Sequence, residues 1–161
     1  AAVGVIQNGG CQRVHGLWLA REYDGTTGSC SFTITLPSGR KLYYNDPKIG
    51  ENRWGNPSIT YMGVNDKNKW GRIETYGGKL TENCVQAIAR DCLAEAIERL
   101  EAAGFPIVFH VHDEVVIDIK PYAAHADMLN QVVQIMRQPP IWARDLPLNA
   151  DGWVGDFFTK D

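Results

Sequence analysis

The chain has 161 residues, 44% of them hydrophobic and 22% charged, with a net charge of −3. That length suits one domain or one large piece of a bigger protein, and it permits a core that buries roughly 70% of the chain's surface. No apolar run approaches the ~18 residues of a membrane helix, and the start Ala1-Ala2-Val3-Gly4-Val5 has neither the basic head nor the long apolar core of a signal peptide.

With no Met at residue 1, the chain reads as processed or as cut from something longer. Residues 1–8 are expected to be the tail of a helix that Asn8-Gly9-Gly10 ends. His15 to Arg21 and Cys30 to Leu36 read as strands joined through the Gly-rich run Asp24 to Gly28. Phe32, Ile34 and Leu36 alternate with Thr33 and Thr35, the pattern of a half-buried strand. Pro37-Ser38-Gly39 is a turn, and Arg40 to Tyr44 returns as a partner strand. Residues 45–57, with Asp46-Pro47, Gly50, Gly55 and Asn56-Pro57, read as loop. Strands follow at Ser58–Val64 and Trp70–Tyr76, connected by Asn65 to Lys69. From Arg40 to Lys79 there are eight Lys/Arg against four Asp/Glu; from Leu80 to Asp161 there are six against thirteen. A basic stretch beside an acidic one suits an anionic partner, or an ordinary solvated surface.

The period then changes to that of a helix, from about Gly78 to Ala103. Val85, Ile88, Ala89, Cys92, Leu93, Ala96 and Leu100 form its apolar stripe, with Glu82, Gln86 and Arg90 as a polar stripe beside it. Gly104 ends it. The four cysteines form no CxxC, so neither a zinc site nor a disulfide scaffold is indicated. Cys84 and Cys92, eight apart, are expected to be buried thiols in a reducing compartment. Pro106 to His112 and Val115 to Ile119 read as a tight hairpin. Tyr122 to Met136 is a second helix closed by Pro139-Pro140, and a last strand is expected from Leu146 to Val154 before a frayed tail. The fold class is α+β, an antiparallel sheet packed by helices.

The hairpin places its turn within Val111-His112-Asp113-Glu114. Asn-Gly or Asp-Gly would be the easy turn pair, and His-Asp is neither. Asp113 and Glu114 repel each other at close range unless a cation lies between them. Hard divalent ions bind through one or two carboxylates plus substrate phosphates, so such a tip suits phosphoryl transfer. The plainer alternative is a solvated turn. His110 and His112, two apart, lack a third ligand for zinc, and His110 is expected to be satisfied and partly buried. Gly77-Gly78-Lys79-Leu80-Thr81 is not a phosphate-binding loop, because Ile73 and Leu80 stand where Gly and Ser/Thr are needed.

The run from Gly77-Gly78-Lys79-Leu80-Thr81 through Gln86 to Asp91, followed by Phe109-His110-Val111-His112-Asp113-Glu114-Val115-Val116, resembles family A DNA polymerases, the polymerase I-like family, in its phage-type branch. Leu36-Pro37-Ser38-Gly39-Arg40-Lys41-Leu42-Tyr43-Tyr44 resembles the same branch. His-Asp-Glu between apolar strands is that family's motif C. The resemblance is strongest over residues 36–120. It implies that Asp113 binds catalytic Mg²⁺ (or Mn²⁺), that Glu114 tunes the metal site, and that His112 lies against the primer end. It further implies that Gln86, with Asn83 and Lys79, contacts DNA. The basic side chains of Arg40, Lys41 and Arg72 are expected to do so by their charge. Where the polymerase I branch has Arg, this chain has Gly78, with Lys79 as the adjacent substitute. The implied chemistry is nucleotidyl transfer in DNA replication by two metal ions, one acting on the primer 3′-hydroxyl and one on the triphosphate.

The resemblance also implies what is absent. A second metal-binding Asp and a fingers helix bearing Lys and Tyr do not occur in these 161 residues and are expected before Ala1. The chain then reads as the C-terminal palm fragment. Residues 1–57 would be a hairpin-and-loop region at the fingers–palm junction, and residues 58–161 a palm portion with the motif C hairpin. Its partners would be primer–template DNA, dNTP and the missing fingers, thumb and palm part, with no membrane, in the cytoplasm of a bacterial or phage-infected cell. Alone it is expected to bind metal weakly and to be inactive. A second reading is a catalytically idle nucleic-acid-binding module that uses Arg40, Lys41, Lys48, Arg53, Lys67, Lys69 and Arg72 with Trp54 and Trp70. A third is a metal-dependent hydrolase built on His110, His112 and Asp113. A reverse transcriptase fits less well, since its palm signature pairs Tyr with two Asp.

Overall fold

His15 and Gly16 both have positive φ, 47° and 84°, and turn the chain so sharply that Val14 pairs with Leu17. This two-residue turn is the first of a series in the computed structural model, which describes residues 1–52, 54–120 and 125–159. It joins β1 (Cys11–Val14) to β2 (Leu17–Tyr23). A strand was expected to start at His15. Instead the X-Gly pair supplies the turn, because its twist matches that of the flanking strands. Helix α1 (Ala2–Asn8) precedes β1 and ends at Gly9, φ 74°, as expected.

The sheet continues through β3 (Cys30–Thr35), β4 (Lys41–Glu51), β5 (Pro57–Val64) and β6 (Trp70–Thr75), all antiparallel in the order β1-β2-β3-β4-β5-β6. The loop expected at residues 45–57 is mostly strand. β4 runs on to Glu51 through a register shift between Asn45 and Lys48, where Asp46 has φ 45°. A bulge is where a strand tolerates Pro47, which has no N–H to give the ladder. The position after residue 57 expected as a boundary falls inside this sheet, where Glu51 pairs with Pro57. Arg53, in the β4–β5 turn, lies outside the described residues.

The chain forms two compact units, Ala1–Ile88 and Ala89–Asp161. In the first, Leu19, Phe32, Ile34, Tyr44 and Ile59 pack with Val5 and Ile6 of α1 and with Leu80, Cys84 and Ala87 of α2 (Gly77–Ala102). The buried stripe of α2 in this unit is therefore Leu80, Cys84 and Ala87. Val85, expected in it, is 61% exposed, and Ala89 is exposed too. Sequence hydrophobicity ranks Val above Ala and Cys, whereas helical phase decides which of them reaches the sheet.

The face of the sheet turned away from this core mixes polar side chains with exposed aromatic ones. There Glu22 Oε1 accepts from Lys41 Nζ at 2.7 Å and from Thr33 Oγ1 at 3.1 Å. The Lys41 bond, helped by Thr33 and opposed by burial, holds the Glu22 carboxyl below its ordinary value of 4.5. A lowered carboxyl pKa stabilises the fold above the unfolded value, and that contribution is lost as pH falls through the folded one. Solvent screens the pair, so the effect is small. Glu22→Gln should flatten the acid side of the stability curve below about pH 4.5, read from urea unfolding at several pH values. An unchanged acid slope would count against the pair.

In the second unit α2 buries Cys92, Leu93, Ala96 and Leu100, and Phe105 after it is buried too. Gly104, φ 87°, ends the helix. Its N–H reaches the Glu101 carbonyl at 3.0 Å, and Phe105 N reaches that of Leu100 at 3.0 Å. This left-handed cap satisfies carbonyls that the helix leaves open. The hairpin strands β7 (Ile107–Val111) and β8 (Glu114–Ile117) follow, then α3 (His125–Met136) and a 3₁₀ turn at Ile141–Ala143. Tyr122, the expected start of α3, lies outside the described residues. The strand expected from Leu146 to Val154 is absent from this described segment. Its backbone groups go elsewhere: Leu148 N to Leu146 O, Gly152 N to the Asp151 carboxylate, and Ala150 O to the Arg137 guanidinium at 2.8 Å. The tail expected to fray packs Phe158 edge-on against Phe109, centroids 5.2 Å apart. The architecture is α+β with an antiparallel sheet and three helices, as expected. Among the described residues no helix is long and apolar enough to cross a membrane.

Candidate functional site

Val111 pairs with Glu114, so His112 and Asp113 alone make the turn between β7 and β8. The turn lies where the sequence puts it. His112 has φ 49°, a left-handed conformation that costs a side-chain-bearing residue roughly 1–2 kcal/mol and Gly nothing. Local energetics therefore favour Gly at 112. Among the described residues His15, Asp46 and Asn68 share this conformation, with φ of 47°, 45° and 55°. His112, Asp113 and Glu114 are all exposed. We expect His112→Gly to leave the hairpin folded, with stability unchanged or raised by up to about 1 kcal/mol in thermal unfolding. A clear loss of stability would mean that the imidazole serves the fold.

Four contacts inside this unit hold the tip. Glu101 Oε1 accepts from Ile107 N at 2.7 Å, fixing the entry of β7 to the end of α2. The Gly104 cap sets the exit angle of that helix. Phe158 packs on Phe109. The Arg90 guanidinium lies against the His110 ring, with nitrogen–nitrogen distances of 3.1 Å on both sides. His110 was expected to be partly buried; it is exposed and partnered by a cation instead. In the sequence Arg90 reads only as polar surface, whereas the structure seats it against His110. Its place one helical turn after Gln86 was the available signal. The arms are partly covered, with Val108 60% and Phe109 40% exposed.

The helix residues named for DNA contact lie in the first unit. Lys79 Nζ and Gln86 Nε2 both donate to Glu82 Oε1, at 2.9 and 3.3 Å, which makes an exposed chain along α2. Asn83 turns inward and donates to Tyr44 Oη at 3.1 Å. Burial pushes the Tyr44 hydroxyl up, against the opposing pull of that bond. Arg40 donates to the Ala87 carbonyl at 2.8 Å and so ties the β3–β4 turn to α2. Lys41 is paired with Glu22, while Arg72 and Lys48 share Asp46. The structure thus gathers Lys79, Glu82 and Gln86 in one row and His112, Asp113 and Glu114 at one tip.

Adjacent exposed carboxylates suit a hard cation whose other positions are filled by phosphate oxygens and water. Among the described residues no three or more of His, Cys, Asp and Glu gather as a metal-binding group. The two carboxylates offer oxygen donors, the kind that Mg²⁺ and Mn²⁺ take. A zinc site at His110 would have to displace a guanidinium already seated there.

Over 129 residues, 80% of this chain, the sequence is 50% identical to a DNA polymerase of Bacillus phage SP02. The match takes in 19% of that relative, so the chain spans about a fifth of its length. No protein-family model matches the chain. No solved structure matches it.

Proposed function

We propose that the chain is the C-terminal palm part of a family A, phage-type, DNA-directed DNA polymerase. The observation that carries this reading is the 50% identity to a phage DNA polymerase across 80% of the chain. The strained His112 beside an exposed carboxylate pair supports it. In this reading residues 1–57 adjoin the fingers, and residues 58–161 carry the palm hairpin.

Asp113 and Glu114 would hold Mg²⁺ or Mn²⁺ at the tip. A bound divalent ion supplies positive charge to the triphosphate and acidifies the primer 3′-hydroxyl. The chain's own residues align the reactants. His112 lies against the primer end, and Arg90 fixes His110 and with it the arm that carries the tip. Gln86 offers an amide to DNA from α2, with Lys79 beside it. Alignment and charge are what phosphoryl transfer asks of a protein.

With two adjacent carboxylates and no further donor cluster among the described residues, the 161-residue chain alone should show no primer extension. The full-length polymerase should extend the same primer–template. Extension by the purified chain would overturn the fragment reading.

A further inference from the structure

We propose that the face of the six-stranded sheet turned away from its α1 and α2 core binds single-stranded nucleic acid at its β1–β2 and β5–β6 turn end. The proposal deepens the polymerase reading, and rests on it for the strand being DNA; its test needs no catalysis. Arg13 pairs with Trp18, Trp18 with Thr35, and Thr35 with Lys41, which forms one row across β1 to β4. Tyr43 and Val64 each lie two residues from the Asn45–Met62 pair, and Val64 pairs with Trp70. Side chains two apart on a strand share a face, so Trp18, Tyr43 and Trp70 stand on the same side as this row. They are 48%, 58% and 62% exposed.

Trp18 on β2 and Trp70 on β6 are four strand spacings apart, roughly 19 Å, with Tyr43 on the strand midway. The Arg13 guanidinium lies 5.9 Å from the centre of the Trp18 ring, a cation already stacked on this platform. Lys67 and Lys69 flank it from the β5–β6 turn, which Asn65 shapes by accepting from both of their backbone N–H groups. The acidic groups here do not cancel this charge. Glu22 is taken by Lys41, Asp46 by Arg72 and Lys48, and Glu74 accepts from Ser58, while the β5–β6 turn sets Asp66 beside Lys67 and Lys69 in sequence. Aromatic rings spaced along a basic track are what an unpaired strand needs, since every base has a face to stack and every phosphate a charge to meet. A duplex hides its base faces, and a protein partner would gain little from flanking lysines.

The test is fluorescence anisotropy of the 161-residue chain with labelled oligo(dT) and with blunt duplex of the same length. Single strand should bind more tightly than duplex. Trp70→Leu should weaken oligo(dT) binding about tenfold, and Trp70→Phe, which keeps a ring, should restore most of it. Lys67→Ala with Lys69→Ala should lower the salt dependence of binding. All these side chains are exposed, and circular dichroism checks that the variants fold. Equal affinity of Trp70→Leu and wild type, a preference for duplex, or self-association abolished by Trp70→Glu would each overturn the proposal. None of these outcomes bears on primer extension by the full-length protein, so the two readings fail separately.

Discussion

Asp113→Ala in the proposed full-length polymerase should lower primer extension by about a thousandfold or more, while affinity for primer–template changes little. Asp113 is exposed on a two-residue turn, and no hydrogen bond or ion pair of the fold depends on its carboxylate among the described residues. The loss is therefore expected in the chemical step. Groups aimed at charge that develops in the transition state contribute about 10²–10³-fold each, and a carboxylate that positions a metal ion contributes at least that much. Glu114→Ala should cost less, because Glu114 pairs with Val111 at the start of β8 and is assigned the tuning role. Single-turnover primer extension separates a lost rate from lost binding. Retained turnover in Asp113→Ala would discard the assignment of His112-Asp113-Glu114 as the metal-holding tip.

Phe32→Ala should destabilise the first unit by about 3–5 kcal/mol, the range for deleting a fully buried aromatic ring. Phe32 is 0% exposed. Its ring lies 5.8 Å from Tyr44, which in turn meets Tyr61 edge-on at 5.0 Å. Removing it opens a cavity beneath β3, where both neighbouring strands fix the backbone and limit collapse. The same aromatic chain leads to Asn83 on α2 through the Tyr44 hydroxyl, so the cavity should also loosen the helix that carries Gln86. Urea unfolding of the chain measures this. A cost under about 1 kcal/mol would mean that the sheet and helices do not share the core described.

Most elements of the first unit were legible because period-two alternation and turn residues agree. Phe32 and Ile34 point inward from β3, and Asn65 to Lys69 turn β5 into β6. β1 was missed because four residues carry too little pattern, although His15-Gly16 was a readable turn pair. The length of β4 was hidden by Asp46-Pro47, which spells a loop in isolation. Only the neighbouring β5 ladder makes it a bulge. The strand expected at Leu146 to Val154 had apolar residues, but none of them joins either sheet. Arg137 takes the Ala150 carbonyl of that segment instead.

At the candidate site, the carboxylate pair and the hairpin around it were visible in the sequence, since His-Asp is a poor turn that interrupts two apolar runs. Sequence could not show that His112 would be the strained residue, because φ is set by the closing Val111–Glu114 pair. Nor could it show Arg90 against His110, a contact between residues twenty apart. Basic side chains named for DNA were legible only as charge. Lys41, Lys48 and Arg72 each have a carboxylate partner, whereas Trp18, Tyr43 and Arg13 gain their interest from a strand register that composition does not contain.

The central claim is that Asp113 holds a divalent ion for nucleotidyl transfer. Electron paramagnetic resonance of Mn²⁺ bound to the full-length polymerase, with primer–template and dNTP, tests it most directly. Asp113→Ala should lose bound Mn²⁺, or bind it at least tenfold more weakly, with DNA still bound. The same number of ions, held at the same affinity in wild type and variant, would contradict it.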